Sequence, residues 1–304
     1  SGMKAVMIAS DSILAGKEKV VVAGGMENMS SAPYLLEKAR FGLKMNDSTL
    51  VDSMVHDGLW DIFNNFHMGN TGEIVAQRHN VTRQDADAFS FRSHQRALAA
   101  MKSGAFDKEI VPVEVPSKKG PVRFATDEGP REDTNLESLA RLKPVFRKDG
   151  ILTAGNSSSI NDGASALVVM DSEVAREKGI EPLVRVVDYA TTGTKPELIM
   201  EAPIDAARRV MERNSLSIGD IDLFEVNEAF ASVPLAWLKA TGADPAKLNV
   251  QGGAIALGHP LGASGTKLAT TLLHALRRRG GRFGLQTMCE GGGMANVTIF
   301  EALR

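Results

Sequence analysis

The 304-residue chain is 43% hydrophobic and 24% charged, with a formal charge of −2. That is an ordinary soluble composition, with no electrostatic case for nucleic acid or an anionic membrane as partner. Its single cysteine excludes an intrachain disulfide and fits a reducing, cytoplasmic setting. No apolar run is long enough to cross a bilayer, and Asp11 interrupts the one opening stretch that imitates a signal peptide.

Apolar residues at helical spacing predict a helix over 4–14, stopped by Gly16. The β-branched run Lys19-Val-Val-Val-Ala-Gly-Gly25 then predicts a strand buried on both faces. From residue 26 to about 150 apolar periodicity weakens and charges become frequent, so this region reads as an excursion from the main fold. One helix stands out within it, capped by Thr82 with Asp85 three residues on and ended by Gly104. Val111–Val115 follows as an edge strand, because Pro112 cannot donate to a ladder. The basic residues scattered over 118–149 read first as a solvated mixed-charge surface. The scaffold resumes at the polar loop 153–163, with strands expected at 166–170 and 183–187, a link near 172–179 between them, and a helix over 203–213. A strand over 221–226 leads into Asn227, and the chain closes with a helix to Arg279 and strands at 283–289 and 295–300.

Ser1-Gly-Met-Lys4 and Ser264-Gly-Thr-Lys267 open two helices of similar length. Each helix ends near a glycine and is followed by an apolar strand. The same succession twice indicates a duplicated α/β unit. Just before the second helix, five glycines surround His259 in the segment 252–265. Glycine lets backbone turn tightly and approach a ligand closely, and a loop imidazole is free to act as an acid or base. Asn227 has an alternative reading as a helix N-cap, and a lone cysteine such as Cys289 is commonly an inert small hydrophobe.

Seven motifs carry a family likeness: Ala23-Gly-Gly-Met-Glu-Asn-Met-Ser30, Asp57-Gly-Leu-Trp-Asp61, His67-Met-Gly69, Gly155-Asn-Ser-Ser-Ser-Ile-Asn-Asp-Gly163, Asn227-Glu-Ala-Phe-Ala231, Gly258-His-Pro260 and Cys289-Glu-Gly-Gly-Gly293. In this order they resemble the thiolases, most closely the biosynthetic acetyl-CoA acetyltransferases. The resemblance implies an α/β thiolase fold of two duplicated halves with an inserted loop domain. Residues 1–30 and 150–178 would belong to the first half, 31–149 to the insert, which would serve coenzyme A binding and oligomer contacts, and 179–304 to the second half. It implies condensation of two acetyl-CoA to acetoacetyl-CoA and CoA, or the reverse thiolysis, by a ping-pong acyl-cysteine route, in a homotetramer or dimer. No metal or cofactor is implied beyond the coenzyme A thioesters themselves. His259 would activate the nucleophile and donate to an oxyanion, and Asn227 would hold a water completing that hole. Cys289 would be the acid/base, and the N–H of Gly291 would serve a second oxyanion. Leu59, His67, Met68, Ala154, Ser158 and Phe230 would surround the pantetheine and acyl end, with Arg131 and Ser138 nearer the nucleotide. His56, His79, His94 and His274 match no motif and are expected in surface or core packing.

Glu290 stands where many short-chain members carry a small or apolar residue, and Ser157 and Ser159 replace the more usual alanine and glycine. Members place their nucleophile in Cys-Gly-Ser-Gly, and the sequence given begins at that Ser-Gly. Taken literally, it is expected to fold poorly alone and not to turn over. Two alternatives stand beside the acetyltransferase reading: a broad-range 3-ketoacyl-CoA thiolase of β-oxidation, and a non-catalytic coenzyme A-binding subunit.

Overall fold

The repeat seen in sequence is the frame of the molecule. The computed structural model describes residues 1–303. Helix α1 (Gly2–Leu14) runs into strand β1 (Val20–Asn28). The excursion then supplies three small hairpins, β2 (Tyr34–Leu36) with β3 (Leu50–Asp52), β4 (Trp60–Asp61) with β5 (Phe66–His67), and β6 (Val113–Val115) with β7 (Val122–Phe124). It also supplies helices α2 (Gly69–Arg78), α3 (Arg83–Lys102) and α4 (Leu136–Ala140). After it come β8 (Asp162–Met170), α5 (Ser172–Glu177), β9 (Val184–Gly193), α6 (Ala202–Arg213), β10 (Leu223–Val226) and α7 (Ser232–Thr241). The chain ends with α8 (Ala254–Leu257), α9 (Leu261–Arg279), β11 (Phe283–Glu290) and β12 (Met294–Ala302).

β1 and β8 pair antiparallel, as β11 and β12 do. The second sheet has the order β10-β11-β12-β9, with only β10 and β11 parallel. Helices α1 and α9 lie against each other between the two sheets. Each ends at a left-handed glycine, Gly16 at φ 70° and Gly280 at φ 67°. Their first turns meet so closely that a Cβ on Gly2 would fall 2.5 Å from Thr266 Oγ1, and one on Gly265 would fall 2.3 Å from Met3 N. Met3 and Thr266 hold equivalent places in the repeat, so the helices cross about a local two-fold, and only glycine fits at either crossing point. Met3, Met7, Leu272, Leu276 and Phe300 form one core around this helix pair. Phe224, Trp237, Val297 and Ile299 form another on the far face of the second sheet, under α6 and α7.

Several expectations change. The β1 run was read as buried on both faces, yet Val22 is 71% and Met26 63% exposed. Its partner β8 makes a two-stranded ribbon, and helices cover only the face carrying Ala23. The 172–179 link contains the short helix α5, capped by the Asp171 side chain. Val111 and Pro112 lie outside the exposed β6–β7 hairpin. The α3 capping box forms as read, with Thr82 Oγ1 accepting from the Asp85 N–H and Asp85 Oδ2 from the Thr82 N–H. Among the described residues no helix is long and apolar enough to cross a membrane.

Candidate active site

His259 leaves the glycine loop at the point where α9 begins. Gly258 just before it sits at φ 85°, and a Cβ there would lie 2.4 Å from Asn161 Oδ1. Both facts restrict the position to glycine. Asn161 Oδ1 accepts the His259 backbone N–H at 3.3 Å. Behind the loop, the buried Glu228 carboxylate accepts from Ser93 Oγ at 2.7 Å, Asn249 Nδ2 at 2.9 Å and the Ile255 N–H at 3.1 Å. Burial raises the Glu228 pKa despite these donors. The loop is therefore fixed to the Asn227 turn and to α3 together.

The imidazole is held from both sides. Ser264 Oγ donates its only hydrogen to Pro260 O at 2.8 Å. Its 2.6 Å contact with His259 Nδ1 must then be a bond that Nδ1–H donates. The other nitrogen, Nε2, is left with its lone pair facing Asn227 Nδ2 at 3.1 Å. Burial first, and the Lys267 charge second, lower the imidazole pKa to about 4. The ring is therefore neutral near pH 7, with an acceptor nitrogen toward Asn227. Asn227 follows β10, and its backbone N–H bonds Thr287 O at 3.1 Å. This turn ties β10 to β11. The N-cap alternative for Asn227 fails, because α7 starts at Ser232 with Ala231 as its cap. Asn227 Oδ1 is buried and has no partner.

Cys289 lies near the end of β11, half-buried, against a cluster that includes Leu152, Ala229, Phe230 and Met68. Burial, with a smaller push from Glu290, raises its thiol pKa to about 12. The resting thiol is therefore held protonated. Glu290 is engaged by Asn296, whose Nδ2 donates to Oε1 at 2.8 Å. Gly291 is exposed in the turn that follows. His67 stacks on Phe146 at 4.9 Å, and Phe146 meets Phe230 edge-on at 5.5 Å. The Met68 N–H bonds Leu59 O at 2.8 Å, and the Ser158 N–H bonds Ala229 O at 3.0 Å. Leu59, His67, Met68, Ser158 and Phe230 are thereby joined to the Cys289 cluster.

A cleft of about 510 Å³ opens beside this cluster, lined by Arg131, Ser138 and Ala154 among others. Asn161, whose side chain accepts the His259 backbone N–H, is also part of its wall, so the cleft reaches the support of the His259 loop; His259, Asn227 and Cys289 are not among its lining residues. His94 is buried on α3, as expected of a packing residue, and it also lines the cleft, its Nδ1 accepting the Arg131 N–H at 3.1 Å. The legible signal was its place on the buried stripe of α3 with Ala86, Ser90 and Ala97. The roles of Ser264 and Asn161 were missed, although both lie in quoted segments: the Asn161 contact with His259 spans 98 positions, and the Ser264 bond to Nδ1 depends on how the first turn of α9 folds back on the ring. Among the described residues, no group of three or more His, Cys, Asp or Glu is placed to hold a metal ion.

Residues 1–173 match the family model described as thiolase, N-terminal domain, and residues 180–302 match thiolase, C-terminal domain. An acetyl-CoA acetyltransferase of Pseudomonas aeruginosa is 49% identical over 294 residues, covering 96% of this chain and 75% of that protein. The crystal structure of the Bacillus anthracis acetyl-CoA acetyltransferase superposes with a TM-score of 0.97 at 42% identity, over 100% of this chain and 77% of that one. Human mitochondrial 3-ketoacyl-CoA thiolase, solved in complex with CoA, gives 0.95 at 39% identity, over 100% and 76%. The chain belongs to the thiolase family.

Proposed function

We propose that the protein is an acetyl-CoA acetyltransferase, condensing two acetyl-CoA to acetoacetyl-CoA and CoA or running the reverse thiolysis. The observation that carries this reading is the fixed pair of His259 and Asn227, with the His259 backbone held by Asn161 in the wall of the cleft. The names of the relatives support the substrate class. In the ping-pong route, an acyl group is first carried as a thioester on the nucleophilic cysteine that members place in Cys-Gly-Ser-Gly, not on Cys289, the one cysteine in this sequence; a second acetyl-CoA is then deprotonated and attacks it.

His259 Nε2, unprotonated at rest, accepts a thiol proton; as an imidazolium it donates to the thioester oxygen as negative charge develops there. The unpartnered Asn227 Oδ1 accepts from a water that is the second donor of that hole. Cys289, protonated at rest, gives its proton to the leaving CoA thiolate of the first half-reaction; the thiolate so formed removes the α-proton of the second acetyl-CoA. The N–H of Gly291 stabilises the enolate oxygen in this scheme. Leu59, His67, Met68, Ala154, Ser158 and Phe230 line the pantetheine and acyl end, and Arg131 and Ser138 the nucleotide end. The segment 31–149 acts as the substrate-binding and oligomer-forming insert, in a homo-oligomer working in the cytoplasm.

The test is thiolysis of acetoacetyl-CoA, followed as loss of enolate absorbance, by the protein carrying a Cys-Gly segment ahead of Ser1, with His259→Ala and Cys289→Ala as controls. Turnover that both substitutions abolish supports the reading. Coenzyme A binding without turnover would replace it with a non-catalytic role. The likeness to the human 3-ketoacyl-CoA thiolase favours a broad-range enzyme as second reading. Rates that hold up on longer 3-ketoacyl chains would establish that alternative.

A further inference from the structure

The cleft has two walls on different parts of the chain, and one side chain touches the supports of both. The first wall is the α4 segment with Ser138, Leu139 and Leu142. Arg83 on α3 holds it, with Nη2 donating to Leu139 O at 2.5 Å and to Leu142 O at 3.0 Å. The second wall is the loop carrying Ala154, Gly155, Ser157 and Ser159. Buried Asn156 holds that loop: its Oδ1 accepts the Thr153 N–H at 2.7 Å, its Nδ2 donates to Ile151 O at 3.1 Å, and its backbone O accepts the Ala231 N–H at 2.9 Å.

Asp87, one turn along α3 from Arg83, joins these supports. Its Oδ2 accepts from Arg83 Nε at 2.7 Å, and its Oδ1 accepts from Asn156 Nδ2 at 2.9 Å. The residue is only 5% exposed. A buried, doubly accepting carboxylate makes strong, directional bonds, and removing it leaves both donors unpaired. We propose that Asp87 is a positioning residue that sets the separation of the two cleft walls, the Ser138 side at the nucleotide end and the Ala154 side at the pantetheine end, and so the fit of coenzyme A between them. This rests on the cleft being the coenzyme A site.

Calorimetric titration with CoA, and competition with pantetheine, which lacks the nucleotide, tests the proposal. Asp87→Ala is expected to weaken CoA binding about tenfold or more, the equivalent of one lost charge-assisted bond, while pantetheine, which meets the Ala154 wall but not the Ser138 wall, is weakened less. Asp87→Asn keeps an acceptor for Asn156 but turns an N–H toward Arg83, so it should fall between the two. If Asp87→Ala does not fold, Arg83→Gln frees the α4 wall alone, and the same CoA-selective weakening is expected. Loss of CoA and pantetheine binding in equal proportion, or unchanged CoA binding in a folded variant, overturns the assignment. Failure of the unsubstituted protein to bind CoA would instead remove the reading of the cleft itself.

Discussion

Ser264→Ala isolates how the fold prepares its histidine. The substitution deletes the oxygen that accepts the Nδ1–H of His259 at 2.6 Å. It removes a single oxygen atom and so creates little space. Two outcomes are open to the ring. It can keep its proton on Nδ1 with no acceptor in a buried site, or move it to Nε2, where it would face the Asn227 Nδ2 donor at 3.1 Å. Each costs about 1–3 kcal/mol, the usual penalty for an unsatisfied buried donor. If that penalty falls on the reactive form, kcat/KM for acetoacetyl-CoA thiolysis drops about 10- to 100-fold. Ser264→Thr keeps the hydroxyl and should recover most of the loss. A Ser264→Ala protein that turns over within about twofold of the unsubstituted one would refute the reasoning, since the tautomer would then have no energetic dependence on Ser264.

Three further outcomes are expected. Because the His259 pKa falls from 6.5 to about 4 on folding, the unfolded chain takes up a proton first as pH drops, and stability is lost from pH 6.5 down to 4. The loss at pH 5 is about 2 kcal/mol, and urea melts of the unsubstituted protein and His259→Asn should converge as pH falls through that window. Glu225 and Glu228, raised by burial, work the other way: their contribution is full below pH 4.5 and is lost as pH rises, so the difference between the two proteins isolates the histidine. Cys289, raised from 9.0 to about 12, should react with iodoacetamide at pH 8 about a thousandfold more slowly than an unperturbed thiol; labelling at the ordinary rate, read by mass spectrometry, would contradict it. Gly69→Ala drives a Cβ to 2.2 Å from the Phe146 ring, which should cost about 1–3 kcal/mol in a thermal melt; an unchanged melting temperature would mean that the His67–Phe146 stack gives way freely.

The duplicated helix-strand unit was legible because its signals are local. Ser-Gly-x-Lys, a helical apolar period and a terminal glycine each act within a few residues, and the set recurs, 263 positions on from Ser1 to Ser264 and 264 from Gly16 to Gly280. His259 stood out in its glycine loop, whereas Asn227 and Cys289 were singled out only through the family resemblance, and the α3 cap was legible from its Thr82–Asp85 spacing. The reading went wrong where a residue's neighbours come from elsewhere. Three consecutive valines looked like a strand buried on both sides, but nothing in the run says how many strands will flank it or which face a helix will cover. His94 shares its helix with ordinary packing residues, and only the fold sets Arg131 beside it.

The sequence by itself determined the element types, the repeat and the chemical groups available: an imidazole, a thiol, an amide and the glycines that let backbone reach them. The tertiary structure alone decided their states. Ser264 selects which imidazole nitrogen carries the proton, burial moves the imidazole pKa down and the thiol pKa up, and Asp87 joins two cleft walls far apart along the chain. Hydrogen-bond partners and desolvation depend on which atoms lie within a few ångströms, and chain order does not carry that information.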